Sequence, residues 1–224
     1  MSDPAGKREP AEASPVRAAK RALRQAVLAR REALGEPARQ AASRRIVERV
    51  LELPEFRAAR GVHCFLSMPG EVDTAGIFAA CAATGKVTFV PVQVPGERRL
   101  ACVVWSPGEP LVFGPFGVRE PAPDRQIPAD VAAIDLVLAP GAAFDRSGNR
   151  LGYGIGYYDG FLKSLADRHG PAGWSASGLI ARPAVIALAF AVQIVDAVPA
   201  DSWDIRVPAI LTEEGVLRIA PGRS

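Results

Sequence analysis

At 224 residues and 49% hydrophobic, the chain is long enough for one large α/β domain with a substantial core. A net charge of +3 favours anionic partners (nucleotides, polyglutamates or nucleic acid) only mildly, and much of the excess lies in residues 20–49 as the solvated face of two helices. Cys64, Cys81 and Cys102 have no metal-like spacing, which argues against a disulfide framework and a zinc site. The two histidines, His63 and His169, lack the nucleophile-elbow partner of a Ser-His-Asp hydrolase.

Residues 1–15 are rich in Ala, Pro, Glu and Ser and are expected to lack fixed structure, leaving 16–224 as one domain. Val16, Ala19, Leu23, Val27 and Leu34 form a helical stripe over 16–34. A second helix spans 37–53, with Ile46, Val47, Val50 and Leu51 apolar and Pro54 beyond its end. Strands follow at 61–66, 87–91, 100–104, 134–139 and 184–189, with helices at 74–84 and 157–168 between them. On the first strand, His63 and Cys64 point to opposite faces, Cys64 into the core and His63 to a surface or rim. Residues 107–128, dense in Pro and Gly, form a long surface loop or lid, and 169–183 a polar excursion. Residues 193–194 begin a short connection, and 210–211 with 216–219 give a terminal strand or hairpin.

Strands alternating with helices imply an α/β fold: three layers, a mostly parallel, Rossmann-like sheet with helices on both faces. Ligands of such sheets bind beyond the carboxyl ends of the strands. Three loops fall there, after Leu66, after Val90 and after Ala139. No apolar run reaches membrane-spanning length and the N-terminus has no signal-peptide core, so a cytoplasmic protein is expected.

The third loop carries the strongest local signal, GNRLGYGIGYYDGFL at 148–162. Read as strand, glycine-rich turn, helix, it places Gly152, Gly154 and Gly156 where backbone N–H groups and a helix N-terminus could receive a phosphate chain. Arg150 could add a bidentate charge and Asp159 a metal ligand. Spacing alone does not choose between this cradle and a tight turn that needs glycine only for geometry. Lys20 and Arg24 share a helix face and could clamp phosphates, but Arg17, Arg21, Arg30 and Arg31 are equal candidates. In SMPGEVDT at 67–74, Asp73 or Thr74 caps the next helix, whereas Glu71 stands where a carboxylate could meet an amino-pyrimidine ring. Trp105, Phe113 and Phe116 either stack on a flat ligand or pin their loop to the core. Asp204 is a metal-site carboxylate or a turn residue.

These segments together resemble the 5-formyltetrahydrofolate cyclo-ligase (5,10-methenyltetrahydrofolate synthetase) family. The matching pieces are AKRALR at 19–24, FLSMPGEVDT at 65–74, FGVREP at 116–121, DLVLAPGAAFDRSGNRLGYGIGYYDGFL at 135–162 and AVIALAFAVQIVDAVPADSWDIRVPAILTEEGV at 184–216. The resemblance implies that ATP and Mg²⁺ drive ring closure of 5-formyltetrahydrofolate to 5,10-methenyltetrahydrofolate, releasing ADP and phosphate. In that scheme the formyl oxygen is phosphorylated, N10 attacks the activated carbon, and phosphate leaves. No protein nucleophile is needed, only positioning and charge neutralisation. By the same resemblance, Lys20, Arg24, Arg150, Leu151, Gly152, Tyr153, Gly154, Ile155, Gly156 and Tyr157 bind ATP. Arg150, Tyr157 and Asp159 carry catalysis, Asp159 and Asp204 hold Mg²⁺, and Met68, Glu71, Phe116 and Tyr158 contact the folate, which is polyglutamylated or not. A monomer or weak dimer with no membrane or nucleic-acid partner is expected. Departures from the family pattern are Ile155, where glycine or lysine is frequent, Trp203, where histidine is frequent, and the excursion at 169–183.

Overall fold

The computed structural model describes residues 15–114, 117–169, 183–201 and 203–220. The chain opens with three helices, α1 (Pro15–Ala33), α2 (Glu36–Glu52) and α3 (Pro54–Ala58). Gly35 at φ +72° separates the first two, and prolines at the helix starts open the second and third, where a missing N–H costs nothing. Then come β1 (Gly61–Cys64), α4 (Ala75–Ala83), β2 (Val87–Gln93), β3 (Leu100–Val104), β4 (Leu111–Phe113), β5 (Arg119–Pro121) and β6 (Leu136–Ala139). β7 (Ala143–Asp145), β8 (Arg150–Leu151), α5 (Tyr157–His169), β9 (Ala184–Leu188), β10 (Ile194–Val195), β11 (Ala209–Leu211) and β12 (Val216–Arg218) complete the described chain.

Seven strands form the main sheet in the order β12-β11-β9-β6-β1-β2-β3. The five central strands run parallel, and the edge strands β12 and β3 are antiparallel. Alternate residues along each strand enter two different cores. On one face Val62, Cys64, Val90, Leu136, Leu138 and Ile186 pack with Ile46, Val50, Phe56, Ile77 and Phe78 of α2, α3 and α4. On the other, Phe89, Val137, Ala139, Val185 and Ala187 pack with Phe161, Leu162 and Leu165 of α5. The three-layer α/β architecture expected from the alternation of elements is therefore present.

This double cover corrects the placement of His63. Helices cover the sheet on both sides of β1, so both of its faces are buried, and His63 is 0% exposed. Its ring sits 4.7 Å from that of Phe161 and edge-on to Tyr158. Two small pairings also interrupt segments read as plain loops. The 107–128 region folds into the β4–β5 hairpin, and a β7–β8 hairpin stands between β6 and α5. The order there is strand, hairpin, glycine loop, helix. Gly148 belongs to the hairpin: its φ is +83°, and a Cβ on it would lie 2.5 Å from the Val207 carbonyl. The C-terminal hairpin is β11–β12, as its sequence suggests. The expectations for residues 1–14 and 170–182 lie outside the described residues.

Candidate active site

The three loops at the carboxyl ends of β1, β2 and β6 meet around one cavity of about 300 Å³. Phe65, Leu66, Met68 and Glu71 line it from the first loop, Pro91 and Gln93 from the end of β2, and Pro140 from the third. The glycine loop and the start of α5 close it with Arg150, Gly152, Tyr153, Ile155, Gly156, Tyr157, Tyr158 and Asp159, and Glu120 faces in from β5. The walls combine apolar surface with a few polar groups at fixed places, the usual composition of a small-molecule site.

The loop after β1 is braced from within. Thr74 donates its hydroxyl to the Phe65 carbonyl, and Ser67 donates to that of Val72. Asp73 caps α4 by accepting the Ala75 N–H at 3.0 Å, as expected, while Thr74 makes no capping bond. Glu71 is thus presented on a rigid turn. Its Oε2 accepts the Met68 N–H at 2.9 Å and its Oε1 accepts the Tyr153 hydroxyl at 2.5 Å. Burial pushes the Glu71 carboxyl upward, and the Tyr153 hydroxyl, the Met68 N–H and the Arg31 charge oppose that rise.

The glycine loop collects cations from several elements. Arg150 is almost fully buried beneath it, paired with Asp159 and donating to the Pro140 carbonyl at 3.3 Å. Its Nε has no hydrogen-bond partner among the described residues. Arg24 of α1 donates Nε to the Gly152 carbonyl at 2.8 Å, and its guanidinium lies 3.4–3.5 Å from where a Cβ on Gly154 would be. Gly154 has φ +107°, so only glycine combines that backbone with room for the arginine. Burial lowers the Arg24 guanidinium, and no carboxylate pairs with it among the described residues. Arg98, from the turn between β2 and β3, donates to the Ile155 carbonyl at 2.7 Å. Nothing in the sequence marked Arg98, because only the tertiary fold brings it within reach.

Lys20 sits one helical turn before Arg24 but is already committed. Its Nζ lies 2.8 Å from Asp201 Oδ2 and 2.5 Å from Asp204 Oδ2. Burial pulls this ammonium down, yet the two aspartates outweigh it and hold it above its ordinary value. Asp204 Oδ2 also accepts the Asp201 N–H at 2.8 Å. Asp159 and Asp204 therefore each face a cation of their own, and the described residues contain no group of three or more carboxylate, histidine or cysteine side chains able to hold a metal.

The other expected residues divide similarly. Tyr157 opens α5, lines the cavity and donates its hydroxyl to Gln93 Oε1 at 3.1 Å. The Tyr158 ring lines the cavity 5.9 Å from the Arg150 guanidinium carbon, and its hydroxyl is buried without a partner among the described residues. Leu151 instead packs with Val27, Ala143 and Val198 in a small core under α1. Trp105 is buried edge-on against Phe78 and pins its loop, whereas Phe113 is 80% exposed on β4. Phe116 lies outside the described residues. No helix among the described residues is long and apolar enough to cross a membrane.

Comparison with known proteins gives a consistent result. The model of the 5-formyltetrahydrofolate cyclo-ligase family matches residues 16–213. The mitochondrial 5-formyltetrahydrofolate cyclo-ligase of Arabidopsis thaliana is 33% identical over 219 residues, covering 90% of this chain and 76% of that protein. The mouse enzyme of the same name is 30% identical, covering 89% and 96%. Among solved structures, the NMR structure of Aquifex aeolicus 5,10-methenyltetrahydrofolate synthetase superposes with a TM-score of 0.71 at 30% identity, covering 92% of this chain and 95% of that one.

Proposed function

The chain belongs to the 5-formyltetrahydrofolate cyclo-ligase family, a family of ligases, and from that premise we propose that it closes 5-formyltetrahydrofolate to 5,10-methenyltetrahydrofolate at the expense of ATP, with Mg²⁺ as the metal. The observation that carries this reading is the cavity shared by Glu71 and the glycine loop, which brings a carboxylate suited to an amino-pyrimidine ring beside Arg150, with Arg24 bonded to the Gly152 carbonyl of the same loop.

The donor set suits these groups. Arg24 is a half-buried guanidinium that no carboxylate pairs among the described residues, packed on a positive-φ glycine and so suited to receive an anion. Mg²⁺ characteristically binds through one or two carboxylates together with phosphate oxygens and water; Asp159, lining the cavity beside the glycine loop, would supply one, and Asp204, now on Lys20, is the second candidate. When bound, ATP supplies the phosphoryl group that makes the formyl oxygen a leaving group, and Mg²⁺ offsets its phosphate charge.

The protein's own tasks are positioning and neutralisation. Glu71 and Met68 orient the folate ring, while Tyr158 packs against it. Arg24 receives negative charge on the loop side, and Arg150 and Lys20 would join it where their aspartates turn to the metal. Gly152, Gly154 and Gly156 let backbone N–H groups approach closely, and Tyr157, tied to Gln93, fixes the start of α5. The apolar walls limit water at the activated carbon. The test is to mix protein, ATP, Mg²⁺ and 5-formyltetrahydrofolate and follow the methenyl absorption. Folded protein giving no signal beside an active cyclo-ligase would overturn the reading.

A further inference from the structure

Tyr153 belongs to the glycine loop by position, yet its hydroxyl reaches the folate loop, where it bonds Glu71 Oε1 at 2.5 Å. Behind it, Arg31 of α1 donates Nη1 to the same hydroxyl at 2.9 Å, with its guanidinium 6.0 Å from the ring centroid. We propose that Tyr153, backed by Arg31, is a positioning residue of the substrate site, holding the Glu71 carboxylate oriented and charged for the two N–H donors of an amino-pyrimidinone edge.

The geometry fixes the direction of the relay. An arginine only donates, so the Tyr153 oxygen accepts from Arg31 and its own hydrogen goes to Glu71. With Met68 N–H on Oε2 and Tyr153 O–H on Oε1, neither carboxylate oxygen is free to rotate, and each keeps a further lone pair. Those lone pairs must both accept when two parallel N–H groups arrive, which requires the carboxylate and not the acid. A protonated Glu71 would set a hydrogen against a donor.

The surroundings make that protection necessary. Burial favours the neutral acid, and the Tyr153 hydroxyl, the Met68 N–H and the Arg31 charge oppose it. Among the other groups near the carboxylate, Cys64 and Tyr158 are pushed upward by burial and stay neutral. Arg119 and Glu120 face the cavity from β5, the latter also raised by burial. Arg31 reaches its place over Gly70, on the same turn as Glu71: a Cβ there would lie 3.3 Å from Nη2. The relay thus joins α1, the folate loop and the glycine loop through side chains alone.

This inference rests on the folate reading, and the experiment separates the two. Binding of 5-formyltetrahydrofolate without nucleotide is measured across pH by calorimetry for wild type, Tyr153→Phe and Arg31→Gln, with ATP binding measured separately and folding checked by circular dichroism. Tyr153→Phe should weaken folate binding about ten- to a hundredfold, the range of a hydrogen bond to a charged group, and weaken ATP binding far less. Removing groups that hold the Glu71 proton affinity down lets burial raise it. The fall in affinity on acidification should therefore begin at a higher pH in both variants, with partial recovery on the alkaline side. Arg31→Gln should show the same shift with a smaller loss, and it decides the matter if Tyr153→Phe does not fold. An unmoved pH profile, or loss of ATP binding in place of folate binding, overturns the role of Tyr153. Wild type that binds no 5-formyltetrahydrofolate overturns the folate reading itself.

Discussion

Acidification should destabilise the protein through His63. The imidazole is 0% exposed between β1 and α5, stacked against Phe161, and burial pushes it down from 6.5 to about 3. In the unfolded chain it titrates near 6.5, so below that pH the unfolded state binds a proton that the folded state refuses. Stability contributed by the neutral ring is present above pH 6.5 and is lost as pH falls toward 3, at up to about 1.4 kcal/mol per pH unit. Between pH 7 and pH 5 the loss is about 2 kcal/mol, a large fraction of a stability of about 5–15 kcal/mol. Glu71 and Glu120, both raised by burial, act in the opposite direction, gaining stability as pH falls. Their effect is common to wild type and to His63→Phe, which keeps an aromatic ring against Phe161 but cannot take a proton. Urea unfolding at both pH values should show wild type losing about 2 kcal/mol more than the variant on acidification. Equal losses in the two proteins would refute the reasoning.

The glycines of 148–156 should separate by role: Gly148→Ala, with φ +83° and the Val207 carbonyl 2.5 Å from the new Cβ, should cost about 2 kcal/mol or more of stability by denaturant titration. Gly154→Ala, strained at φ +107° but meeting only the Arg24 guanidinium, should weaken ATP binding as well as cost about 1–2 kcal/mol of stability, which calorimetry and thermal melts together resolve. Lys20→Met leaves Asp201 and Asp204 facing each other without their cation, and should cost about 1–3 kcal/mol, discounted from a fully buried pair because these side chains keep some solvent. Adding Asp204→Asn to Lys20→Met should recover part of that stability, measured as a positive coupling energy in a double-mutant cycle. Asp159→Asn should abolish most cyclisation at any Mg²⁺ concentration and also lower stability by about 1–2 kcal/mol, since it removes the charge facing buried Arg150. Full turnover at saturating Mg²⁺ would remove Asp159 from the metal site.

The fold was open to sequence reasoning where burial leaves a continuous signal. Parallel strands covered on both faces appear as unbroken apolar runs, and β6 and β9 are such runs. The same double cover explains the error at His63. Period-two alternation correctly sent His63 and Cys64 to opposite faces, but alternation does not say whether the second face is solvated. The hairpins β4–β5 and β7–β8 escaped because strands of two or three residues carry no periodicity. The convergence of three strand-end loops was predictable from topology, whereas the partners of their side chains were not. Lys20 and Asp201 are 181 residues apart, and no local pattern pairs them.

Ile155 shows most clearly how sequence and structure divide the problem. Position by position, an isoleucine in the glycine loop means a missing charge, and the sequence assigns neutralisation to Arg150, Lys20, Arg24 and a metal at Asp159. In the fold, Lys20 and Arg150 are already engaged by aspartates, so they serve a phosphate chain only if those carboxylates turn to another cation. The two arginines without a carboxylate partner among the described residues at this loop are Arg24 and Arg98, and both reach it through backbone carbonyls, at Gly152 and Ile155. A cation held by a carbonyl keeps its full charge, because the bond satisfies one donor without neutralising the group. The loop therefore needs no charged side chain of its own. If this is right, Arg98→Ala should weaken ATP binding severalfold with little change in stability, because Arg98 is exposed and holds one carbonyl. Unchanged ATP affinity in that variant would return the burden to Lys20 and Arg150.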